Sequence, residues 1–593
     1  MTVYTAPLDE MRFVLYDVLG ADKLLTELPG HEDHGADLIN TVLAEAAKFC
    51  EEQLLPLNRT GDEEGCSFEN GVVRTPKGFK QAYETFAGAG WTGLACRPED
   101  GGQDLPKVVN LMVEEMVCST NLSFGTYPGL SLGAYNAIKL HAAEELKRLY
   151  LPKLADGSWS GTMCLTEPQC GTDLGLIRTR AEPQGDGTFS ITGTKIFISA
   201  GEHDLTRNIV HLVLARLPDA PAGTRGISLF LVPKFLPRPD GSEGQRNGVA
   251  CGGIEHKMGL KASATCVLNF DGAKGWLIGE AHKGMRAMFT MMNAARLAVG
   301  IQGLGIAETT YQSARAYARE RLQGRALNGA AAPDKPADPI IVHPDVRRLL
   351  LTIKANTEAA RALALWVGLS LDIAERHADA QRRQEADDLV QLMTPIVKAT
   401  LTDLGFTAAN HGLQVFGGHG YIREWGMEQL VRDGRITQLY EGTNGIQALD
   451  LVGRKLPTGT GRLLRRFFHP AMALVEEHQA DPSMAELVIP FAKALGRLQQ
   501  ATAWLAQAGL RDPTEGGAAA SEYLRLFALT ALAYMWVRMA KTALARPGDA
   551  EFARTKLATA RFFMARLLPE TGALFQSLMT GAKPLMEIEA SAF

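Results

Sequence analysis

At 593 residues, with 46% hydrophobic and 21% charged side chains, the chain has ample material for buried cores, and a prior of about 150 residues per domain gives about four units. A net charge of −5 and a pI near 6.3 do not suggest a nucleic-acid binder. All eight cysteines lie between Cys50 and Cys266 without metal-site spacing, which points to a reduced, cytoplasmic protein and to no metal site.

Residues 1–40 read as an N-terminal extension. Asp9, Glu10 and Asp17 interrupt its apolar stretch, unlike a secretion signal. Residues 41–159 read as a helical domain, with long amphipathic stretches at 37–53 and 108–118.

Residues 160–281 change character. The β-branched alternation at 189–192, 209–213, 227–232 and 266–270, punctuated by Gly, Pro and Asp, predicts a β-domain. From Met285, apolar positions such as Met288, Phe289, Met292, Ala295 and Val299 recur at helical steps, and 282–455 reads as a helical bundle. Its one interruption, the Pro- and Ala-rich 328–339, predicts a loop.

A Pro/Gly/Thr break at 456–461 opens an additional helical domain, 456–593, with Leu524, Phe527, Leu532 and Met535 at helical spacing. The apolar run 526–537 is too short to span a bilayer and reads as a buried core helix. Arg454, Lys455, Arg462, Arg465 and Arg466 form a local basic cluster, read as a solvated helix face.

Four segments carry chemistry. In 440–447, Glu441 sits on a Gly-flanked turn before an apolar run. Walled by Tyr440, Leu439 and Ile446, its charged form would be disfavoured and its pKa raised toward working pH. On that segment alone, a solvated first-turn acid is the ordinary reading. Residues 163–173 gather Thr166, Gly171 and Thr172 behind an apolar entry, a composition suited to an anion or a heteroaromatic ring. Residues 191–201 read as a strand ending in small residues, and 414–421 offers glycines that admit a phosphate.

In this order and at these separations, the segments resemble the flavin-dependent acyl-CoA dehydrogenase family over residues 40 to 455. Gly90-Trp91-Thr92-Gly93-Leu94, 98–102 and the Glu320-Arg321 pair resemble it too. The appended tail, the opening Tyr4-Thr5-Ala6-Pro7 and the stretch 343–348 are similar to a large subgroup of about 600 residues. The resemblance implies a mainly α fold with a central β-domain: helical N-domain, β-barrel or sandwich, four-helix bundle, plus the appended helices. FAD is expected between the β-domain and the bundle, and the assembly is expected to be a homodimer or dimer of dimers.

It further implies α,β-dehydrogenation of an acyl-CoA, either 3-methylmercaptopropionyl-CoA or a fatty acyl-CoA, with electron transfer flavoprotein as acceptor. Glu441 would take the α-proton while its amide and a ribityl hydroxyl polarise the thioester, and the β-hydride would pass to flavin N5. By the same resemblance Met163, Leu165, Thr166, Ile198 and Ser199 contact the flavin, Phe197 covers one face of it, and Gly171 and Thr172 lie at phosphate. Thr172 also borders the substrate. Arg321, Gln414, Gly417 and Gly418 hold the pyrophosphate or adenosine half, and Thr443, with Asn444 a weaker candidate, touches FAD near the base. Asn293, Arg296 and Tyr440 face the CoA substrate.

Arg296 could equally form a surface or interdomain ion pair, and His419 reads as a structural turn residue. Residues 114–118 and Tyr440 are candidates for the pocket floor. Departures from common family patterns are Gln169-Cys170, Phe197, Ser199 and Ala448. Two other functions remain open at this point: an acyl-CoA oxidase, and a damage-response flavoprotein with a nucleic-acid-binding tail.

Overall fold

A computed structural model describes residues 2–238, 240–546 and 548–593. The chain divides into two compact units. The first, here the β-unit, comprises Ala46–Leu105 and Met116–Ala298; the second, the α-unit, comprises Met1–Glu45, Pro106–Glu115 and Val299–Phe593.

Helix α1 (Lys107–His141) breaks at Asn121, whose backbone leaves helical space. The side chain explains the break: Asn121 Oδ1 accepts from Phe124 N at 3.0 Å and caps the second segment, while Nδ2 donates to Leu54 O at 3.3 Å. The short hairpin Ser67–Glu69 with Val72–Arg74 was not expected in a region read as helical. Asn70 and Gly71, both with positive φ, make its two-residue turn.

The sheet of the β-unit has seven strands: β1 (Trp159–Cys164), β2 (Arg180–Pro183), β3 (Phe189–Ser199), β4 (Asn208–Arg216), β5 (Ile227–Pro233), β6 (Val249–Ile254) and β7 (Thr265–Ile278). They run in the order β6-β7-β3-β2-β4-β1, and β5 pairs with both β4 and β7, so the sheet returns on itself. The side chains of β5 are buried on both faces, as are all but the last of β4, which is why both strands read as near-continuous apolar runs.

β3 and β7 lose register where Lys195 faces Leu268 but Ile198 faces Cys266. Two residues of β3 there oppose one of β7, which is a β-bulge. Phe197 sits in it with φ +58°.

Four helices dominate the bundle part of the α-unit: α2 (Gly284–Glu320, from Val299 on), α3 (Pro344–Arg376), α4 (Ala380–Phe416) and the short α5 (Met427–Arg435). α2 and α4 meet backbone to backbone. A Cβ on Gly303 would lie 2.3 Å from Leu401 O, and one on Gly405 would lie 2.3 Å from Gly303 O, so only glycine fits at this crossing. α6 (Asn444–Asp450) follows the Glu441 turn.

Beyond it, α7 (Ala485–Arg511), α8 (Pro513–Ala545) and α9 (Ala550–Phe562) build most of the tail. Every residue from 526 to 537 is buried in α8, as its almost wholly apolar run requires, and Thr530 satisfies its hydroxyl on Leu526 O at 2.8 Å. Trp536 in α8 donates to Ala355 O of α3 at 3.1 Å. Among the described residues no helix is long and apolar enough to cross a membrane.

Buried charge ties these elements together. Arg361 on α3 donates to Glu115 on α1 at 2.6 Å and to Glu308 on α2 at 2.6 Å. Lys556 on α9 pairs with Glu358 of α3 at 2.7 Å and with Glu10 near the N-terminus, while Phe13 meets Phe552 edge-on at 4.9 Å. Burial works to raise the Glu10 carboxyl, but Lys556 and Arg361 outweigh it and hold it below the usual range. The basic cluster, read as a solvated face, is instead engaged: Arg454 pairs with Asp450, Arg462 with Asp388 and Arg466 with Glu385.

Lys556→Met removes the buried cation shared by Glu10 and Glu358, leaving Glu358 with Lys354 alone, and should cost roughly 3–5 kcal/mol, seen as a large fall in Tm. Arg561→Met, which removes the exposed pair with Glu486, should cost at most about 1 kcal/mol. Equal losses in the two variants would contradict the role given to burial.

Candidate active site

The Glu441 turn is built on strained backbone. Glu441 has φ +56° and Gly442 φ +87°, and for a non-glycine residue the left-handed region costs on the order of 1–3 kcal/mol. Neighbours hold it there. Gln447 Nε2 donates to the carbonyls of both Glu441 and Gly442 at 3.2 Å, and Lys398 Nζ, wholly buried on α4, donates to Gly442 O at 2.8 Å.

Asn444 completes the clamp, and its side chain is spent in doing so. Its Oδ1 accepts from Lys398 at 2.9 Å, and its Nδ2 donates to Asp403 Oδ1 at 2.7 Å, Thr402 Oγ1 at 3.0 Å and Ala399 O at 3.2 Å. This amide is directed into α4. Thr443 caps α6 by accepting from Ile446 N, which leaves its hydroxyl proton to point elsewhere. Tyr440 hydrogen-bonds Gln302 through its hydroxyl. Leu439, expected to wall in the carboxylate, is 46% exposed because the preceding turn directs it outward.

In the β-unit, Thr166 follows β1, and its carbonyl accepts from Ile196 N at 2.9 Å, which places it beside the Phe197 bulge. A Cβ on Gly171 would lie 3.5 Å from Thr166 Cγ2. The bulge turns the Phe197 ring outward to 59% exposure, an unusual state for a large aromatic and one suited to stacking on a planar ring. Ile198 points the other way, into the core at 2% exposure, so only its backbone can face a ligand. Met163 and Leu165 pack against the helical core of this unit, Ser199 is half-buried opposite Thr265, and Thr172 is exposed.

The third group lies in the α-unit. Tyr317 stacks on Phe416 at 4.1 Å and bonds His419 Nδ1 at 2.9 Å; His419 in turn stacks on Trp425 at 4.5 Å. This aromatic box joins the end of α2, where Arg321 N bonds Tyr317 O, to the turn after α4. Around it Arg321, Gln414, Gly417 and Gly418 are all exposed, and added Cβ atoms on either glycine would meet nothing within 4 Å. His419 is a structural member of the box.

Loop 328–339 is organised by Asp338, whose buried carboxylate accepts from the amides of Ala326, Ala331 and Ala332 and from Arg325; those amides hold it far below the usual carboxylate range. On α2, within the β-unit, Asn293 is exposed, whereas Arg296 is buried with its guanidinium over the Phe289 ring.

Within the β-unit an exposed aromatic beside hydroxyls suits a flavin ring, and within the α-unit open glycines near an arginine suit the phosphates of FAD. Family models for the acyl-CoA dehydrogenase N-terminal, middle and C-terminal domains match residues 39–158, 162–273 and 282–456, and an acetyl-CoA dehydrogenase C-terminal-like model matches 467–589. The chain belongs to the acyl-CoA dehydrogenase family. It is an FAD-dependent oxidoreductase that acts on the CH–CH bond of an acyl-CoA.

It is 44% identical over 581 residues, 96% of this chain and 97% of the other, to a 3-methylmercaptopropionyl-CoA dehydrogenase of Ruegeria pomeroyi. It is 34% identical over the full length of both chains to a broad-specificity linear acyl-CoA dehydrogenase of Mycobacterium tuberculosis. A Bacillus anthracis acyl-CoA dehydrogenase solved with FAD shares the fold, at a TM-score of 0.73 and 22% identity, over 94% of this chain and 90% of that one.

Sequence reasoning gave no role to Lys398, Glu167 or Lys195; buried lysines at fixed distances from two motifs were the available signal. Glu114 was named only for its place at a pocket floor. Its Oε1 accepts from Asn110 at 2.9 Å, while Oε2 meets no donor among the described residues, and burial pushes the carboxyl up to about 7. With the folded pKa above the unfolded one, Glu114 lowers stability as pH rises from about 4.5 through 7. Glu114→Gln should therefore raise stability at pH 8 by on the order of 2 kcal/mol and leave it nearly unchanged at pH 4.5. Thermal melts of both proteins across that range test this, and parallel curves would refute it.

Proposed function

We propose that Glu441 is the general base and that the preferred substrate is a short thioether acyl-CoA of the 3-methylmercaptopropionyl type. The observation that carries the first part is the left-handed turn clamped by Lys398, Gln447 and Asn444, which fixes one carboxylate on strained backbone. The substrate assignment rests on 44% identity extending over nearly the whole of both chains.

The thioester acidifies the α-carbon, and Glu441 takes the α-proton while its own amide donates to the carbonyl oxygen on which charge develops. Thr166, Phe197 and Ser199 orient the flavin ring, Met163, Leu165 and the Ile198 backbone border it, and Gly171 and Thr172 lie toward the ribityl and phosphate end. Arg321, Gln414, Gly417 and Gly418 hold the pyrophosphate and adenosine end, with Thr443 beside the base; the Asn444 side chain serves the clamp instead. FAD, when bound, accepts the β-hydrogen with its electron pair. Asn293 and Arg296 serve CoA, and Tyr440 borders the acyl chain.

Residues 160–281 and 282–455 carry the chemistry, and 1–40, 41–159 and 456–593 support it. A homodimer or dimer of dimers in the cytoplasm, discharging to electron transfer flavoprotein, completes the reading. A second reading, a straight-chain fatty acyl substrate, is favoured by the linear-acyl relative at 34% identity over the full length.

Anaerobic bleaching of the flavin by 3-methylmercaptopropionyl-, butanoyl-, octanoyl- and palmitoyl-CoA separates the two. The first should bleach fastest; a maximum at octanoyl or palmitoyl would transfer the assignment to fatty acids. Glu441→Gln should keep its FAD yet slow bleaching roughly 1,000-fold, because the amide preserves shape but cannot take the proton. A variant that bleaches at the wild-type rate would remove Glu441 from the mechanism.

A further inference from the structure

Two motif residues to which the proposed chemistry gives no task, Glu167 and Lys195, form a buried ion pair. Lys195 on β3 is 0% exposed and Glu167 3%, and Nζ lies 2.8 Å from Oε1. The same ammonium donates to Leu165 O at 3.0 Å, the carbonyl just before Thr166.

Glu167 gathers the surrounding backbone. Its Oε1 also accepts from Thr179 N at 3.0 Å and Thr179 Oγ1 at 2.6 Å, and its Oε2 accepts from Arg178 N at 2.7 Å and Gln169 Nε2 at 2.6 Å. Its own N–H and C=O pair with Cys170. One carboxylate thus joins the end of β1, the turn 167–170, the approach to β2, and β3. Gly193 is part of the fit, since a Cβ there would lie 2.5 Å from Thr179 Oγ1.

Burial alone would raise the Glu167 carboxyl, but Lys195 and these donors bring it down to about 2. The carboxylate is therefore charged at any working pH. A buried pair seldom stabilises more than apolar residues of equal volume would, so stability gives little reason to keep one at this position. Its location gives a better one: Lys195 lies two residues before the Phe197 bulge and touches the carbonyl before Thr166.

We propose that Glu167 and Lys195 are positioning residues that hold the Thr166 turn against the Phe197–Ser199 strand end, and that their balanced charges set the reduction potential of the flavin ring seated there. This rests on the reading that Thr166, Phe197 and Ser199 contact the ring. Two-electron reduction of a flavin adds negative charge, and an uncompensated charge in a low-dielectric interior acts strongly over short range. Each half of the pair, left alone, therefore shifts the potential in a known direction.

The test is spectroelectrochemical titration of the FAD-loaded protein. Glu167→Gln leaves a lone cation and should move the potential positive; Lys195→Gln leaves a lone anion and should move it negative. The double Gln variant and Lys195→Arg, each balanced, should stay near wild type. Potentials that do not move, or that move in the same direction in both single variants, overturn the proposal. If the single variants cannot hold FAD, Lys195→Arg decides: retained FAD with a wild-type potential supports the pair, and lost FAD in a protein with native circular dichroism overturns it. Phe197→Ala separately tests the underlying reading, which fails if flavin absorbance and affinity ignore loss of that ring.

Discussion

The constraint on which both the Phe197 bulge and the Glu441 turn depend is backbone held where it would not rest by itself. Phe197 and Glu441 both occupy the left-handed region, and neither has the freedom of glycine. In each unit the surrounding structure compensates through a fully buried lysine that donates to a nearby main-chain carbonyl: Lys195 to Leu165 O beside the Phe197 bulge, and Lys398 to Gly442 O beside Glu441. A buried ammonium has to satisfy its protons, so it fixes the carbonyls around it more firmly than a neutral donor would. The strain at each site therefore presupposes packing elsewhere, which for Lys398 includes the glycine crossing of α2 and α4 that seats its helix.

The tail follows the same logic on a larger scale. A helix buried over every residue from 526 to 537 has no face for water, so α8 forms only if other helices surround it. α3 supplies part of that cover, and the N-terminal segment is drawn in through Glu10 and Phe13. Within the α-unit, then, the N-terminal segment and α9 both belong to the packing of the bundle.

How far the sequence could be read depended on the range of the interaction. The Glu441 turn was legible because its cause is local: a glycine follows the carboxylate, and Thr443 caps the next helix. The strands were legible from β-branched alternation, and α8 from its length of apolar residues. The direction of Phe197 was not, since the bulge is defined against β7, about 70 residues further along. The hydrogen bonds of Asn444 were not legible because its partners at 398–403 sit on another helix, and the burial of Ile198 was not because the bulge sets it. The Lys556–Glu10 pair joins residues 546 positions apart, a separation over which no periodicity carries information.

Charge placement shows why those long-range partners matter. In the α-unit Arg361, Lys556 and Lys398 are each buried beside acceptors, whereas the arginines at 454, 462 and 466 stay partly exposed, the first two reaching the buried carboxylates of Asp450 and Asp388. Glu114, with one oxygen lacking a donor, and Asp372, which accepts from the amides of Lys107 and Val108, are both pushed up to about 7 by burial. Glu167 and Glu10 have cations within reach that hold them below the usual range, whereas at Glu115 burial outweighs Arg361 and raises the carboxyl. The direction of each shift thus follows from whether burial or a partner delivered from a distant part of the chain prevails, and a carboxylate is fitted to act as a base near neutral pH where burial prevails.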